Sequence, residues 1–223
     1  MPELVRPRRV LGRLKYESLV PSLERRRLPF VDELEHPPTA AEPSVLFQTR
    51  LFDPDPHGVL PEVLASKHEV NAQRVALVRQ LRRALGPRFL GGVPDTSYAR
   101  RYCPDAITPL PTERSAYLRL VHQARVVVYT KGLVDSVAFK FGEYFAASRC
   151  IVAERPRAVL AHPPVDGTDL VYFDRLDECV ARCVEFCDDA DRTLGLAREA
   201  RRYYEARVRP RAAVLEMLER ATS

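Results

Sequence analysis

The sequence contains no run approaching the eighteen or so apolar residues that a membrane helix needs. No membrane span is therefore expected. The opening stretch, MPELVRPRRVLGRLKYES, lacks the apolar core of a secretory signal. Five cysteines, an odd number without paired spacing, argue against a disulfide framework and suit a reducing cytoplasm. No Walker sequence is present, and Gly91-Gly92 is too short for a dinucleotide fingerprint. No metal-binding spacing stands out. Cys179, Cys183 and Cys187 recur four apart, but a helix lays such thiols along one stripe, with no His nearby to complete a tetrahedral set. They read instead as small buried apolar residues. No cofactor or metal is expected.

What is present fits one substantial core with a tail: 223 residues, 46% of them hydrophobic and 29% charged. The formal charge of +5 is unevenly placed. Residues 1–15 hold Arg6, Arg8, Arg9, Arg13 and Lys15 against Glu3. Such an arm suits nucleic acid or an anionic surface, but no aromatic residue is interleaved before Tyr16, so it reads as a solvated leader and nucleic acid is not the expected partner. Residues 1–43 form this charged, Pro-rich leader, with a helix expected around Leu19 to Glu35. Residues 44–223 form the domain.

Strand and helix patterns alternate through the domain. Ser44 to Leu51 reads as a first strand, followed by a Pro-rich loop containing His57. Glu69 to Leu85 is an amphipathic helix with Val70, Val75, Leu77, Val78, Leu81 and Leu85 apolar and Arg74, Arg79, Arg82 and Arg83 exposed, stopped by Gly86-Pro87. Arg88 to Val93 is a second strand, Ile107 to Leu110 a short one, and Arg114 to Ala124 a helix. The C-terminal third is helical. The pattern predicts an α/β fold, a single Rossmann-like parallel sheet with helices on both faces and a helical C-terminal extension.

Residues 126–154, VVVYTKGLVDSVAFKFGEYFAASRCIVAE, carry the functional signal. Val126 to Tyr129 is short, β-branched and without alternation, as befits a strand buried on both faces. Thr130-Lys131-Gly132 breaks it, Ser136 to Ala147 has helical spacing, and Cys150 to Ala153 is a second buried strand. A βαβ unit places its first loop at the carboxyl edge of the sheet, where open α/β sheets bind ligands. Two cations there, such as Arg50 after the first strand and Lys67 before the long helix, would neutralise a pyrophosphate.

This segment resembles the donor-binding half of the GT-B glycosyltransferases, the retaining family whose C-terminal Rossmann-like domain holds a nucleotide-sugar. Gly142-Glu143-Tyr144-Phe145-Ala146-Ala147-Ser148-Arg149-Cys150-Ile151-Val152-Ala153 follows the family's outline of a helix with a Glu, small residues and a buried strand. The resemblance implies that Glu143 binds the donor ribose, and that Arg50 and Lys67 contact the diphosphate as the catalytic cations. It places Lys131, Gly132 and Asp135 beside the donor. The family's upstream acid, eight positions before the Glu, is here Asp135. The Gly-Phe-Gly element is absent, and Arg149-Cys150 stand for the usual Gly-Pro, which suggests a divergent branch near the exostosin-like or spore-maturation-like transferases.

The resemblance implies sugar transfer from a nucleoside diphosphate carrier to an acceptor hydroxyl, the nucleotide-sugar acting as co-substrate. Only about forty residues precede the first strand, too few for an acceptor domain. Either a partner chain or a second copy in a homo-oligomer supplies that half, or the protein is truncated, or it no longer catalyses. Lys140, three residues before Glu143, reads as its partner on a helix face. Two other classes stay open: a non-catalytic α/β module that binds a nucleotide or a protein, and a nucleic-acid-associated protein using the basic leader.

Overall fold

A computed structural model of the chain describes residues 31–55, 57 and 60–222. The chain divides into residues 1–33 and residues 34–223, and the sheet and every labelled helix belong to the second unit. The basic arm lies outside the described residues, as does most of the helix expected around Leu19 to Glu35, of which the turn Val31–Leu34 is described.

Five strands build one sheet: β1 Glu42–Gln48, β2 Phe89–Gly92, β3 Ala124–Tyr129, β4 Cys150–Glu154 and β5 Val171–Phe173. All neighbours are parallel, in the order β2-β1-β3-β4-β5. Val126 faces Cys150 and Tyr129 faces Ala153 across β3 and β4, so the two β-branched runs read from the sequence are adjacent central strands. The strand expected over Ser44 to Leu51 ends earlier, at Gln48, because the chain turns away at Arg50. The short strand expected at Ile107 reduces to a bridge with Val93. β5, only three residues long, has too few positions to show a period.

The helices are α1 Pro61–Leu85, α2 Ser97–Tyr102, α3 Arg114–Gln123, α4 Lys140–Ala146, α5 Leu176–Asp188, α6 Ala190–Tyr203 and α7 Pro210–Thr222. Successive strand residues point to opposite faces, and the core splits accordingly. Val45, Phe47, Val126, Val128, Cys150 and Val152 pack against α1 and α5. Leu46, Val127, Tyr129, Ile151 and Ala153 pack against α3, α4 and α6. Cys179, Cys183 and Cys187 are fully buried in the first of these layers, as their spacing predicted. Burial pushes the Cys183 thiol well above its ordinary value.

α4 starts later than its sequence pattern. Val134 and Asp135 lie in the left-handed region, at φ 53° and 55°, and the Ala138 amide donates to the Tyr129 hydroxyl at 2.8 Å instead of entering a helix. Arg149, standing where the family has Gly, is fully buried. Its guanidinium donates to the carbonyls of Ala147, His122 and Pro37 at 2.8–3.1 Å. That departure is structural: it fastens residues 36–39 to the amino edge of the sheet.

From β1 the chain crosses to β2 on one side, while β3 lies on the other. The loops leaving β1 and β3 therefore diverge, and a crevice opens at their carboxyl ends. This is the topological switch point at which doubly wound sheets of this strand order hold ligands. Among the described residues no helix is long and apolar enough to cross a membrane.

Candidate functional site

Three side chains of α1 hold the loop that leaves β1. Lys67, Asn71 and Arg74 are spaced four and three apart, so they share a helix face. Lys67 Nζ donates to the Asp53 carbonyl at 2.9 Å. Asn71 accepts from the Phe52 amide at 2.9 Å and donates to its carbonyl at 2.7 Å. Arg74 Nη1 donates to the Arg50 carbonyl at 2.7 Å and Nη2 to the Lys131 carbonyl at 3.0 Å. Arg74 thus joins the ends of β1 and β3 across the crevice. Burial, helped by the nearby Arg50 charge, brings its ionisation down to about 10.

Lys140 opens α4 and turns into the same crevice. Its Nζ donates to the Gln48 carbonyl at 2.5 Å, at the last residue of β1. It lies 4.4 Å from the centre of the Tyr117 ring. The residue as a whole is half-buried. The ammonium itself is desolvated, and this lowers its ionisation to about 7; the Glu143 charge works against the shift, and the charges of Arg74, Arg114 and Arg50 work with it. The acceptor it was expected to find, Glu143, is engaged elsewhere.

Glu143 is buried, one turn further along α4. Its carboxylate takes a two-pronged ion pair from Arg114 at the start of α3, with Nη1 at 3.0 Å from Oε2 and Nη2 also on Oε1. Tyr117 donates to Tyr144 at 2.8 Å beneath this pair, and burial holds both phenols well above their ordinary ionisation, so they stay neutral. Phe139, 72% exposed, stands at the mouth with its ring 5.9 Å from the Arg114 guanidinium.

The charge of the crevice follows from these pairings. Arg114 and Glu143 cancel. Arg74 is spent on carbonyl oxygens, which leave its charge in place. Among the described residues no carboxylate pairs with Arg50, Arg74 or Lys140. Arg50 is exposed, with its guanidinium 5.3 Å from the Phe52 ring. Three cationic side chains therefore converge at the switch point without a counter-ion of their own, which is the electrostatic form of an anion site.

The residues read from the sequence are all at this edge, but in two groups. Arg50 and Glu143 belong to the crevice. Lys131 and Asp135 form a network of their own: Lys131 Nζ is 2.6 Å from Asp135 and 3.0 Å from Glu69, with Glu154 at 4.0 Å. Burial opposes the Lys131 charge, but the hydrogen bonds it donates to Asp135 and Glu69, with the nearby Glu154 charge, raise its ionisation. Lys131, and next to it Arg157, hold the Asp135 carboxyl below its ordinary range. Gly132 supports that loop: its amide donates to the Ser136 carbonyl at 2.8 Å, and a Cβ there would lie 2.4 Å from Ser136 Oγ. Lys67 anchors the β1 loop through Asp53. His57 lies in that loop, its amide on Asp55, and His162 pairs with Glu216 of α7. The helix pattern puts Arg74 on the exposed face of α1, but its bonds to the Arg50 and Lys131 carbonyls bury it; sequence reasoning missed Arg114 and gave Lys140 the wrong partner. The one local signal of that burial is the place of Arg74 between Val70 and Val78 of the apolar stripe.

Known structures share this architecture. One is TarM, with a TM-score of 0.55 and 9% identity, matched over 83% of this chain and 36% of that one. Another is the C-terminal domain of a glycosyl transferase group 1 family protein (LpcC) from Francisella tularensis, with a TM-score of 0.56 and 8% identity, matched over 82% of this chain and all of that one. The chain has the fold of a GT-B C-terminal domain. No family model and no curated protein matches the sequence. The GT-B-like domain spans about a third of the length of TarM. The sheet order, the buried β3-loop-α4-β4 unit and the crevice at the switch point are the parts of that fold on which the candidate site is built.

Proposed function

We propose that this GT-B-like domain binds a nucleotide-sugar through its diphosphate at the β1/β3 switch point and serves a glycosyl transfer. The observation that carries the reading is the convergence of Arg50, Arg74 and Lys140 without a carboxylate of their own, beside a buried Glu143. A diphosphate supplies the missing negative charge, and Arg50, the exposed member, is free to take it bidentately. Glu143 retains lone pairs beyond those given to Arg114, and a carboxylate at that depth suits ribose hydroxyls.

In the transfer, the bond between the anomeric carbon and the diphosphate oxygen breaks and its electron pair leaves with the phosphate. The acceptor hydroxyl oxygen forms the new bond to that carbon and gives up its proton. The leaving diphosphate gains charge as this happens, and fixed cations beside it favour the transition state over the ground state. The acceptor side is supplied from outside the described domain. The likeness of fold to a glycosyl transferase domain supports the reading.

Calorimetric titration with UDP, GDP and dTDP and their common sugar conjugates, on the full chain, tests it. Saturable binding of at least one nucleotide, weakened about tenfold or more by Arg50→Ala and by Glu143→Ala, is the expected result. No saturable binding by the folded wild-type chain removes the donor site and leaves a protein-interaction module.

A further inference from the structure

We propose that Lys140 is the residue that recognises the diphosphate's charge, and that it takes up a proton when the anion arrives, so that donor binding is linked to pH. The inference rests on the donor-site reading above and adds to it the identity and the protonation of the reading group.

The geometry sets this up. Among the described residues the Lys140 amine has one neutral acceptor, the Gln48 carbonyl at 2.5 Å, and one aromatic face, Tyr117 at 4.4 Å. The groups packed around it come from every neighbouring element. Arg50 follows β1, Arg74 comes from α1, and Arg114 from α3. Its own helix supplies Glu143, which Arg114 occupies, and Tyr144, which Tyr117 occupies. β3 supplies Tyr129, whose hydroxyl is taken by the Ala138 amide. Burial opposes the Lys140 charge most; Glu143, shared with Arg114, favours it, and Arg74, Arg114 and Arg50 oppose it. An ammonium in such a place is half neutral near physiological pH, in agreement with its ionisation at about 7.

A diphosphate entering the crevice reverses that balance. It brings two negative charges beside the amine and so favours the charged form. The proton comes from solvent. Because the free protein must first be charged, affinity is highest below about pH 7 and falls as pH rises through that value. Arg74, with its ionisation at about 10, carries its charge throughout this range, and the linkage is assigned to Lys140.

The probe is UDP-glucose, with GDP-mannose and dTDP-glucose alongside; as diphosphate diesters they have no phosphate proton to gain near neutrality. Binding is measured calorimetrically on the full chain at pH 7.5 in two buffers of different ionisation enthalpy, and then from pH 6.5 to 8.5. The wild type is expected to take up roughly half a proton or more, and to lose about fivefold in affinity between pH 7 and pH 8. Lys140→Arg, charged at every pH used, should bind with no proton uptake and a flat profile. Lys140→Met should bind at least about tenfold more weakly and equally flatly. If Lys140→Met fails to fold by circular dichroism, the Arg variant carries the test. Wild-type binding without proton uptake, or uptake undiminished in Lys140→Arg, overturns this inference and leaves the donor site standing. No saturable binding of any of the three probes to the wild type overturns both.

Discussion

Arg74 holds the backbone of Arg50, its Nη1 2.7 Å from the Arg50 carbonyl, while Nη2 of the same guanidinium holds Lys131. A buried cation is thus used to set the width of the crevice between β1 and β3, and its charge is left over for a ligand. Scaffold and electrostatics are supplied by one side chain.

That double role predicts the effect of removing it. Arg74→Met leaves two carbonyls without donors in a buried place, and should cost about 2–3 kcal/mol of stability. Arg74→Lys keeps the charge but has no planar fork to span both carbonyls, and should recover less than half of that loss. Urea unfolding midpoints measure both. A Lys variant as stable as the wild type would show that the bridge is not what holds the strand ends.

Lys140 predicts a pH dependence of stability that needs no ligand. Its ionisation is lowered from 10.5 to about 7 on folding, chiefly by burial. Between those values the unfolded chain holds more protons than the folded one, so this residue's contribution to stability rises with pH across that window and is least favourable below about 7. Relative to Lys140→Met, the wild type should gain stability from pH 7 to pH 10. Urea unfolding of the pair at pH 7, 8.5 and 10 checks it; a constant difference across the three would contradict the buried amine.

Gly91 predicts an intolerant position away from the chemistry. It sits in β2 opposite Phe47, at φ 143°, and a Cβ there would lie 2.1 Å from the Phe47 carbonyl oxygen. That atom is backbone of β1, paired with the edge strand β2, so it cannot step aside without breaking the ladder. Gly91→Ala should destabilise by about 2–4 kcal/mol through strain and overpacking. Thermal melting measures it, and a shift of less than a degree or two would mean that β2 is free to move off β1.

Much of the fold was legible in the sequence. Val126 to Val128 and Cys150 to Ala153 are β-branched or small and apolar at every position, as a strand covered on both faces requires. The apolar stripe from Val70 to Leu85 marked α1. Glu143 stood out by its place between two such strands. These features are local: burial of one face writes its own period into neighbouring residues, and the period survives without the rest of the molecule.

The site's pairings are of another kind. Glu143 meets Arg114 across 29 residues, Lys140 meets Gln48 across 92, and Arg74 meets Lys131 across 57. Nothing in a sequence period records which charged side chain closes on which, because each choice depends on where two separate loops leave the sheet. So the sequence by itself determined a parallel α/β sheet and a cation-rich carboxyl edge. The tertiary structure alone decided that Lys131 and Asp135 neutralise one another, that Arg114 occupies Glu143, and that Lys140 is left in a desolvated, cation-crowded crevice with a carbonyl as its acceptor. The physical reason is that burial is a property of each element's face, whereas charge compensation is settled only once all the elements have met.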